Sequence, residues 1–385
     1  MNEISPPPLW RVLARAVAAA LALFTLLLLV TELLSFAFLR IQEKPSTSEL
    51  SEHSFYAGKP WKTAYWKEFD LSNHTRFEPY ILWRRRPFRG TYITVGEDGK
   101  RRTVNPNCSP QAPVIWMFGS SSLWGTGCRD EETIPSLLSA EYGSSAGPVC
   151  VTNFGETGWV STQNLVMLEI ALKQSPRPPD LVVLYEGFSD AATAYEFGIA
   201  GQPSNVDRMR AAIDAGRQKP VGFDYIKETA TYRFLSWFMT KLSPPRAAAA
   251  PVVRRDLDRL AADVVREYRT NLDCVEALSR RAGFRYAAYW GPVLGLGNKP
   301  LAPAERRRLA QVETETPGLI ELSRKSYEGM SKADDRVHSL ADAFSDMPQD
   351  LYLDVAHVTP EGNRRIAHLI LEDLRKSGRA PVSKP

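Results

Sequence analysis

The stretch Val114-Ile115-Trp116-Met117-Phe118-Gly119-Ser120-Ser121-Ser122-Leu123-Trp124-Gly125 constrains the fold more than any other part of the chain. An apolar run stops at a glycine, three serines follow, and the chain enters a segment able to form a helix. A buried strand that ends in a glycine turn and feeds a helix sets the first helical N–H groups at the carboxyl edge of a sheet. Open α/β sheets bind their ligands at that edge. A serine nucleophile gains there from a helix N-terminus, which stabilises developing negative charge. Serines also begin helices as plain caps, so the reading turns on whether the rest of the chain supplies partners for Ser121.

From Pro113 onward, strand-like apolar runs at 114–118, 149–154, 180–185, 284–289 and, more weakly, 336–340 alternate with helical stretches. The helical stretches cover 133–142, 161–175 and 253–282, two more follow Pro303 and Pro317, and a last one runs over 359–375. This alternation predicts a three-layer α/β/α sandwich with a mostly parallel sheet. Residues 192–251 form an insertion without a clear strand. Its Phe234-Leu235-Ser236-Trp237-Phe238-Met239 segment is apolar but too short to span a bilayer, and reads as a lid, an interface or a patch lying on the membrane.

The N-terminus sets the compartment. Ala16 to Thr31 carries no charge, Glu32 interrupts, and Leu33 to Leu39 is again mostly apolar. Together this reaches the roughly 20 residues that cross a bilayer as a helix. Arg11 and Arg15 on its N-terminal flank favour a cytoplasmic N-terminus. A cleaved signal peptide would have a shorter apolar region and a small-residue cleavage site, and Ser35-Phe36-Ala37 is a poor one. Residues 1–40 therefore read as an uncleaved signal anchor, with Glu32 near the outer interface where its carboxylate reaches water. Everything after Arg40 then lies outside the cytoplasm, where Cys108, Cys128, Cys150 and Cys274 are free to form disulfides. Four cysteines allow three pairings, and their spacing does not choose among them.

Residues 41–112 read as a polar linker and a small aromatic-rich lead-in subdomain that packs on the main domain of 113–376. Within it, Thr91–Val95 and Arg101–Val104 are expected to pair across an Asp98-Gly99 turn. The tail 377–385 is expected to be disordered. The net charge of +4 over 385 residues is small, and Arg84-Arg85-Arg86 and Arg306-Arg307-Arg308 read as solvated faces. A nucleic-acid partner is not expected, because such sites need a broad basic surface. No metal, nucleotide or flavin signature is present, so no cofactor is expected.

Three further segments fall where strands end: Gly155-Glu156-Thr157-Gly158, Glu186-Gly187-Phe188-Ser189-Asp190 and Asp354-Val355-Ala356-His357. A parallel sheet brings its strand ends to one edge, so Ser121, Gly158, Ser189 and His357 can meet. A serine nucleophile needs a base, and the base needs an orienting carboxylate. Asp354 and His357 supply both from one short loop. Of the five histidines, only His357 sits in a loop before a helix at a strand-end position.

Gly119-Ser120-Ser121-Ser122, Asn153-Phe154-Gly155-Glu156-Thr157-Gly158, Gly187-Phe188-Ser189-Asp190 and Asp354-Val355-Ala356-His357 resemble, in order, the motifs of the SGNH hydrolase (GDSL esterase/lipase) superfamily, in a membrane-anchored bacterial form. The resemblance covers Pro113 to about Lys376. It implies Ser121 as nucleophile, His357 as base, Asp354 as orienting acid, and an oxyanion hole of the Ser121 and Gly158 N–H groups with the side chain at 189. Two positions depart from the family pattern. Ser120 stands where an Asp is usual, and Ser189 stands where the family uses an Asn as third oxyanion donor. The implied activity is removal of O-acyl groups, acetyl above all, from a cell-surface polysaccharide. Transfer of the same acyl group to a glycan hydroxyl, and a non-catalytic role among envelope polysaccharide proteins, are the alternatives. The implied location is the bacterial inner membrane, crossed once, with the C-terminal domain in the periplasm.

Overall fold

The computed structural model describes residues 8–42, 50–207, 209–211, 229–242 and 256–381. The chain divides into two compact units, 1–45 with 210–253, and 46–209 with 254–385.

In the first unit, α1 (Leu9–Gln42) contains a 31-residue stretch, Leu9–Leu39, long and apolar enough to cross a membrane.

The second unit begins with α2 (Lys62–Ser72), the hairpin of β1 (Thr75–Glu78) and β2 (Leu82–Arg85), and a short pair of β3 (Phe88–Arg89) and β4 (Thr94–Val95). The expected partnership of Thr91–Val95 with Arg101–Val104 is present but short: the Gly96 N–H bonds the Lys100 carbonyl at 2.9 Å, the Arg102 N–H bonds the Thr94 carbonyl at 2.8 Å, and Val95 bridges Arg101, while β4 also pairs with β3. The buried Arg101 guanidinium meets Asp130 at 3.0 Å and the carbonyls of Gly125 and Cys128.

The α/β region follows as β5 (Val114–Gly119), α3 (Ser121–Trp124), α4 (Ile134–Ala146), β6 (Cys150–Asn153), α5 (Ser161–Gln174), β7 (Leu181–Glu186) and α6 (Phe188–Phe197). After the insertion helix α7 (Ala230–Leu242), which belongs to the first unit, come α8 (Leu257–Ala282), β8 (Arg285–Trp290), α9 (Pro303–Glu315), α10 (Leu319–Ala333), β9 (Val337–Ser339) and α11 (Pro360–Lys376). The five strands form one parallel sheet in the order β6-β5-β7-β8-β9. Alternate residues of a strand face opposite sides. Ile115 and Met117 enter one core with Leu138 of α4 and Ile366 and Ile370 of α11. Trp116 and Phe118 enter the other with Leu168 of α5, Val264 of α8 and Leu322 of α10. The result is the expected α/β/α sandwich. The strand order reverses around β5, and that is the switch point at which such sheets open a crevice.

A third apolar cluster joins the lead-in to this edge. Tyr56, Tyr65, Trp66, Phe69, Ile93 and Val95 pack on Trp124 of α3 and on Leu353. A disulfide joins Cys108 to Cys150, while Cys128 is buried and Cys274 exposed as free thiols. The tail expected to be disordered from Ser377 is held as far as Pro381. The Arg379 and Ala380 N–H groups bond the Leu374 carbonyl, and the Tyr142 hydroxyl donates to the Pro381 carbonyl. Residues 382–385 lie outside the described residues.

Candidate active site

Ser121 sits where β5 leaves the sheet. Gly119 lies opposite Tyr185 of β7, and a side chain at 119 would collide with the Tyr185 carbonyl oxygen and with Leu123. Only glycine lets the backbone turn this close to its neighbour strand. Ser120 is extended and takes the position just before the turn without a side-chain cap bond, so Ser121 is the first residue of α3. A first helical residue has no carbonyl four positions back to receive its N–H. The Ser121 N–H is thus available beside its own hydroxyl.

The partner loop is closed by a bridge between Tyr352 and Val358 and by a 2.8 Å bond from the Leu353 N–H to the His357 carbonyl. Inside it, Asp354 Oδ1 accepts the N–H groups of Ala356 (2.9 Å) and His357 (2.8 Å). Asp354 Oδ2 lies 2.6 Å from His357 Nδ1, and His357 Nε2 lies 2.8 Å from Ser121 Oγ. Ser122 Oγ ties the two loops together by donating to the Ala356 carbonyl at 3.1 Å. A carboxylate only accepts, so it fixes the imidazole proton on Nδ1 and leaves the Nε2 lone pair facing the serine hydroxyl. Enclosure by protein atoms pushes the Asp354 carboxyl up, but the His357 ring and the two backbone N–H groups outweigh it and hold the pKa below the usual carboxylate value. Asp354 is therefore held ionised beside the imidazole. Thr359 caps α11 and Pro360 opens it, which starts the helix just after the histidine.

Gly158 lies on the loop after β6 and Ser189 on the helix after β7, the two strands that flank β5. The 155–158 loop crosses the end of β5, with the Glu156 N–H on the Gly119 carbonyl at 3.1 Å. Asn153 anchors it by accepting the Gly155 N–H (2.9 Å) and donating to the Leu123 carbonyl (3.1 Å). Gly158 has φ +75°, and a side chain there would also meet Ser204. Ser189 is half-buried in the first turn of α6, and its carbonyl receives Thr193 Oγ1. The structure brings Ser121, His357 and Asp354 into direct contact. Gly158 and Ser189 are at the same sheet edge without a bond to any of the three.

Sequence reasoning missed the support under this loop. Arg84 and Arg85 are buried, not solvated; only Arg86 of that run is exposed. Their partner is the fully buried carboxylate of Glu156. Arg85 Nε is 3.4 Å and Arg84 Nη1 is 3.9 Å from it. The carboxylate also accepts the backbone N–H groups of Arg85 (3.0 Å) and Thr157 (2.9 Å). Arg84 Nη1 donates to the Phe154 carbonyl, and the Trp83 indole donates to the Thr157 carbonyl. The Arg85 guanidinium stacks 3.8 Å over the Trp124 ring. Burial lowers both arginine pKa values, and the Glu156 charge opposes it. The lead-in, to which the motifs assign no chemistry, thus grips the 154–158 loop and the serine turn together. The other arginine run lies on α9, where Arg306 and Arg307 are exposed and Arg308 pairs with Asp350 at 3.3 Å.

A buried acidic pair flanks Ser189. Glu186 ends β7 and accepts Asn164 Nδ2 at 2.7 Å, while Asp190 Oδ1 accepts the N–H and hydroxyl of Ser161. Burial first, and then the Asp190 charge, raise the Glu186 carboxyl above its usual value. A raised carboxyl favours folding below its unfolded pKa, and that advantage is lost as pH rises through the folded one. Glu186→Gln keeps the acceptor for Asn164 but has nothing to ionise. We expect it to match wild type in thermal unfolding at about pH 4 and to gain on it steadily toward about pH 8. A difference that stays flat across this range would show that Glu186 titrates normally.

A cavity of about 790 Å³ adjoins Asp354 and Val355, lined also by His53, Arg307, Arg308 and Asp350, but Ser121 and His357 do not line it. Among the described residues, no group of three or more His, Cys, Asp or Glu side chains is placed to hold a metal ion.

No family model and no curated protein matches the chain. Solved structures do. A lipolytic protein of the G-D-S-L family from Veillonella parvula is 14% identical, with a TM-score of 0.36, covering 69% of this chain and 100% of its own. A carbohydrate acetylesterase family member from Sinorhizobium meliloti is 14% identical, with a TM-score of 0.37 and coverages of 69% and 98%. The psychrotrophic esterase EstA from Pseudoalteromonas sp. is 15% identical, with a TM-score of 0.36 and coverages of 69% and 99%. At such identities none of them assigns a role to a residue here.

Proposed function

We propose that this chain is a membrane-anchored serine esterase that removes O-acyl groups, acetyl in particular, from a cell-surface polysaccharide. The observation that carries the reading is the Ser121–His357–Asp354 relay, with contacts of 2.8 and 2.6 Å. Ser121 Oγ attacks the ester carbonyl while His357 Nε2 takes its proton. Asp354 stabilises the imidazolium that forms. The carbonyl oxygen becomes an oxyanion, held by the Ser121 and Gly158 N–H groups with Ser189 at the third position. His357 then gives the proton to the departing sugar oxygen, the C–O ester bond breaks, and an acyl-Ser121 remains. Water, activated by the same His357, releases the acid.

The polysaccharide substrate rests on location and on the motif resemblance. The 31-residue apolar stretch of α1 and the Cys108–Cys150 disulfide support an anchored domain on the periplasmic side of a bacterial inner membrane. Two of the similar solved structures are named a carbohydrate acetylesterase family member and an acetyl xylan esterase. The test is to give the purified full chain an O-acetylated polysaccharide, with and without an unacetylated glycan acceptor, and to follow acetate. The reading expects free acetate in both cases. Acetate appearing only as new ester on the acceptor would make the protein a transferase, and no deacetylation on a broad glycan panel would remove the polysaccharide from the proposal.

A further inference from the structure

Glu32 is a charged residue inside the most apolar stretch of the chain, and its carboxylate is not left to water. Its two oxygens accept the N–H groups of Ala230 and Thr231 and the Thr231 hydroxyl. These are the first two residues of α7. An ionised side chain near hydrocarbon is costly, and so is an unsatisfied helix N-terminus. Here each removes the other's cost.

The contact continues along both helices. On α1, Glu32, Ser35, Phe38 and Leu39 are covered, while Leu33, Leu34 and Phe36 are exposed. On α7, Ala230, Thr231, Phe234 and Trp237 are covered, while Leu235 and Phe238 are exposed at 51% and 43%. Each covered set repeats at helical spacing and so forms one stripe. Phe38 meets Phe234 and Trp237 edge-on, both at 5.1 Å between ring centres. Glu32 contacts the start of α7 and Phe38 contacts its middle, so α7 runs alongside α1 in the same direction.

Arg15 fixes the level. With Arg15 at the cytoplasmic face, about 20 residues of hydrocarbon crossing end near Ser35. The start of α7 then lies at the outer hydrocarbon boundary, and its aromatic residues lie at headgroup level, where Trp and Tyr accumulate. We propose that α7 is a second membrane element: it docks on the outer end of α1 through Glu32 and presents Leu235 and Phe238 to the lipids of the outer leaflet. This rests on the anchor reading of α1. It narrows the three sequence alternatives for the Phe234–Met239 segment to a lipid contact.

The test uses the full chain with Cys274→Ser, in nanodiscs of phosphatidylcholine and phosphatidylglycerol. An environment-sensitive fluorophore is attached at Leu235→Cys, Phe238→Cys or Leu23→Cys, with the native Cys274 protein as the aqueous control. Doxyl lipids carry the quencher near the headgroup or near the chain end. Probes at 235 and 238 should be quenched several-fold more than at 274, most by the headgroup-proximal nitroxide. The probe at 23 should be quenched most by the chain-end nitroxide. Quenching at 23 with none at 235 and 238 above the Cys274 level would overturn the α7 proposal and leave the anchor standing. No quenching at 23 would instead remove the anchor. Adding Glu32→Ala should at least halve quenching at 235 while leaving position 23 unchanged; an unaltered signal at 235 would show that Glu32 does not hold α7 in place.

Discussion

Replacing Ser121 with alanine is expected to lower kcat/KM for acetyl ester hydrolysis by about 10⁴-fold or more, because members of such a relay act as a unit and most of their contribution is lost with any one. The fold should not change. Ser121 is half-buried at the first position of a one-turn helix, and its side chain bonds only His357 among the described residues. Unfolding curves should therefore superimpose within about 0.5 kcal/mol, as for substitutions that leave no cavity or unpaired group. His357→Ala should fall nearly as far as Ser121→Ala. Measuring kcat/KM on a small acetyl ester checks both. A loss of less than about tenfold in the Ser121 variant would mean that another group performs the reaction.

The second large effect concerns stability. Glu156→Ala is expected to destabilise the protein by about 3–5 kcal/mol, since it leaves two buried guanidinium groups without their carboxylate. Glu156 is fully buried, and it neutralises Arg84 and Arg85 while accepting the Arg85 and Thr157 N–H groups. Glu156→Gln keeps acceptor capacity at that position and should cost less than alanine. The Gly155–Gly158 loop would loosen with it, so turnover by the folded fraction should fall as well. Urea denaturation of the two variants gives the energies directly. A cost below about 1 kcal/mol for the alanine variant would place this ion pair with weak surface bridges and contradict the geometry.

The main strands were legible because burial on both sheet faces leaves continuous apolar runs. The runs expected at 114–118 and 180–185 match β5 and β7 to within a residue at each end. The serine, histidine and aspartate were legible for a related reason. Asp354 and His357 share one loop, and Ser121 follows an abrupt strand end. Arg84 and Arg85 were not, because their burial depends on a carboxylate 71 residues away along the chain. A triple arginine reads as a solvated face until that partner is seen. The lead-in hairpin was legible from its Asp98-Gly99 turn and is present as a short antiparallel bridge, but the burial of Arg101 was not, because it depends on Asp130 and the serine-turn carbonyls. The disulfide was open among three pairings, and proximity across the edge of β6 selects Cys108 with Cys150. Glu32 read as a carboxylate reaching water, and its acceptance of the α7 N-terminus appears only when residues 198 positions apart are brought together.

The claim that Ser121 is an activated nucleophile is tested most directly by intact-mass measurement after exposure to an active-site serine phosphonate. Wild type should gain one adduct, mapped to Ser121, and Ser121→Ala should gain none. Labelling of the alanine variant at the wild-type rate, or no labelling of wild type above that variant, would contradict it.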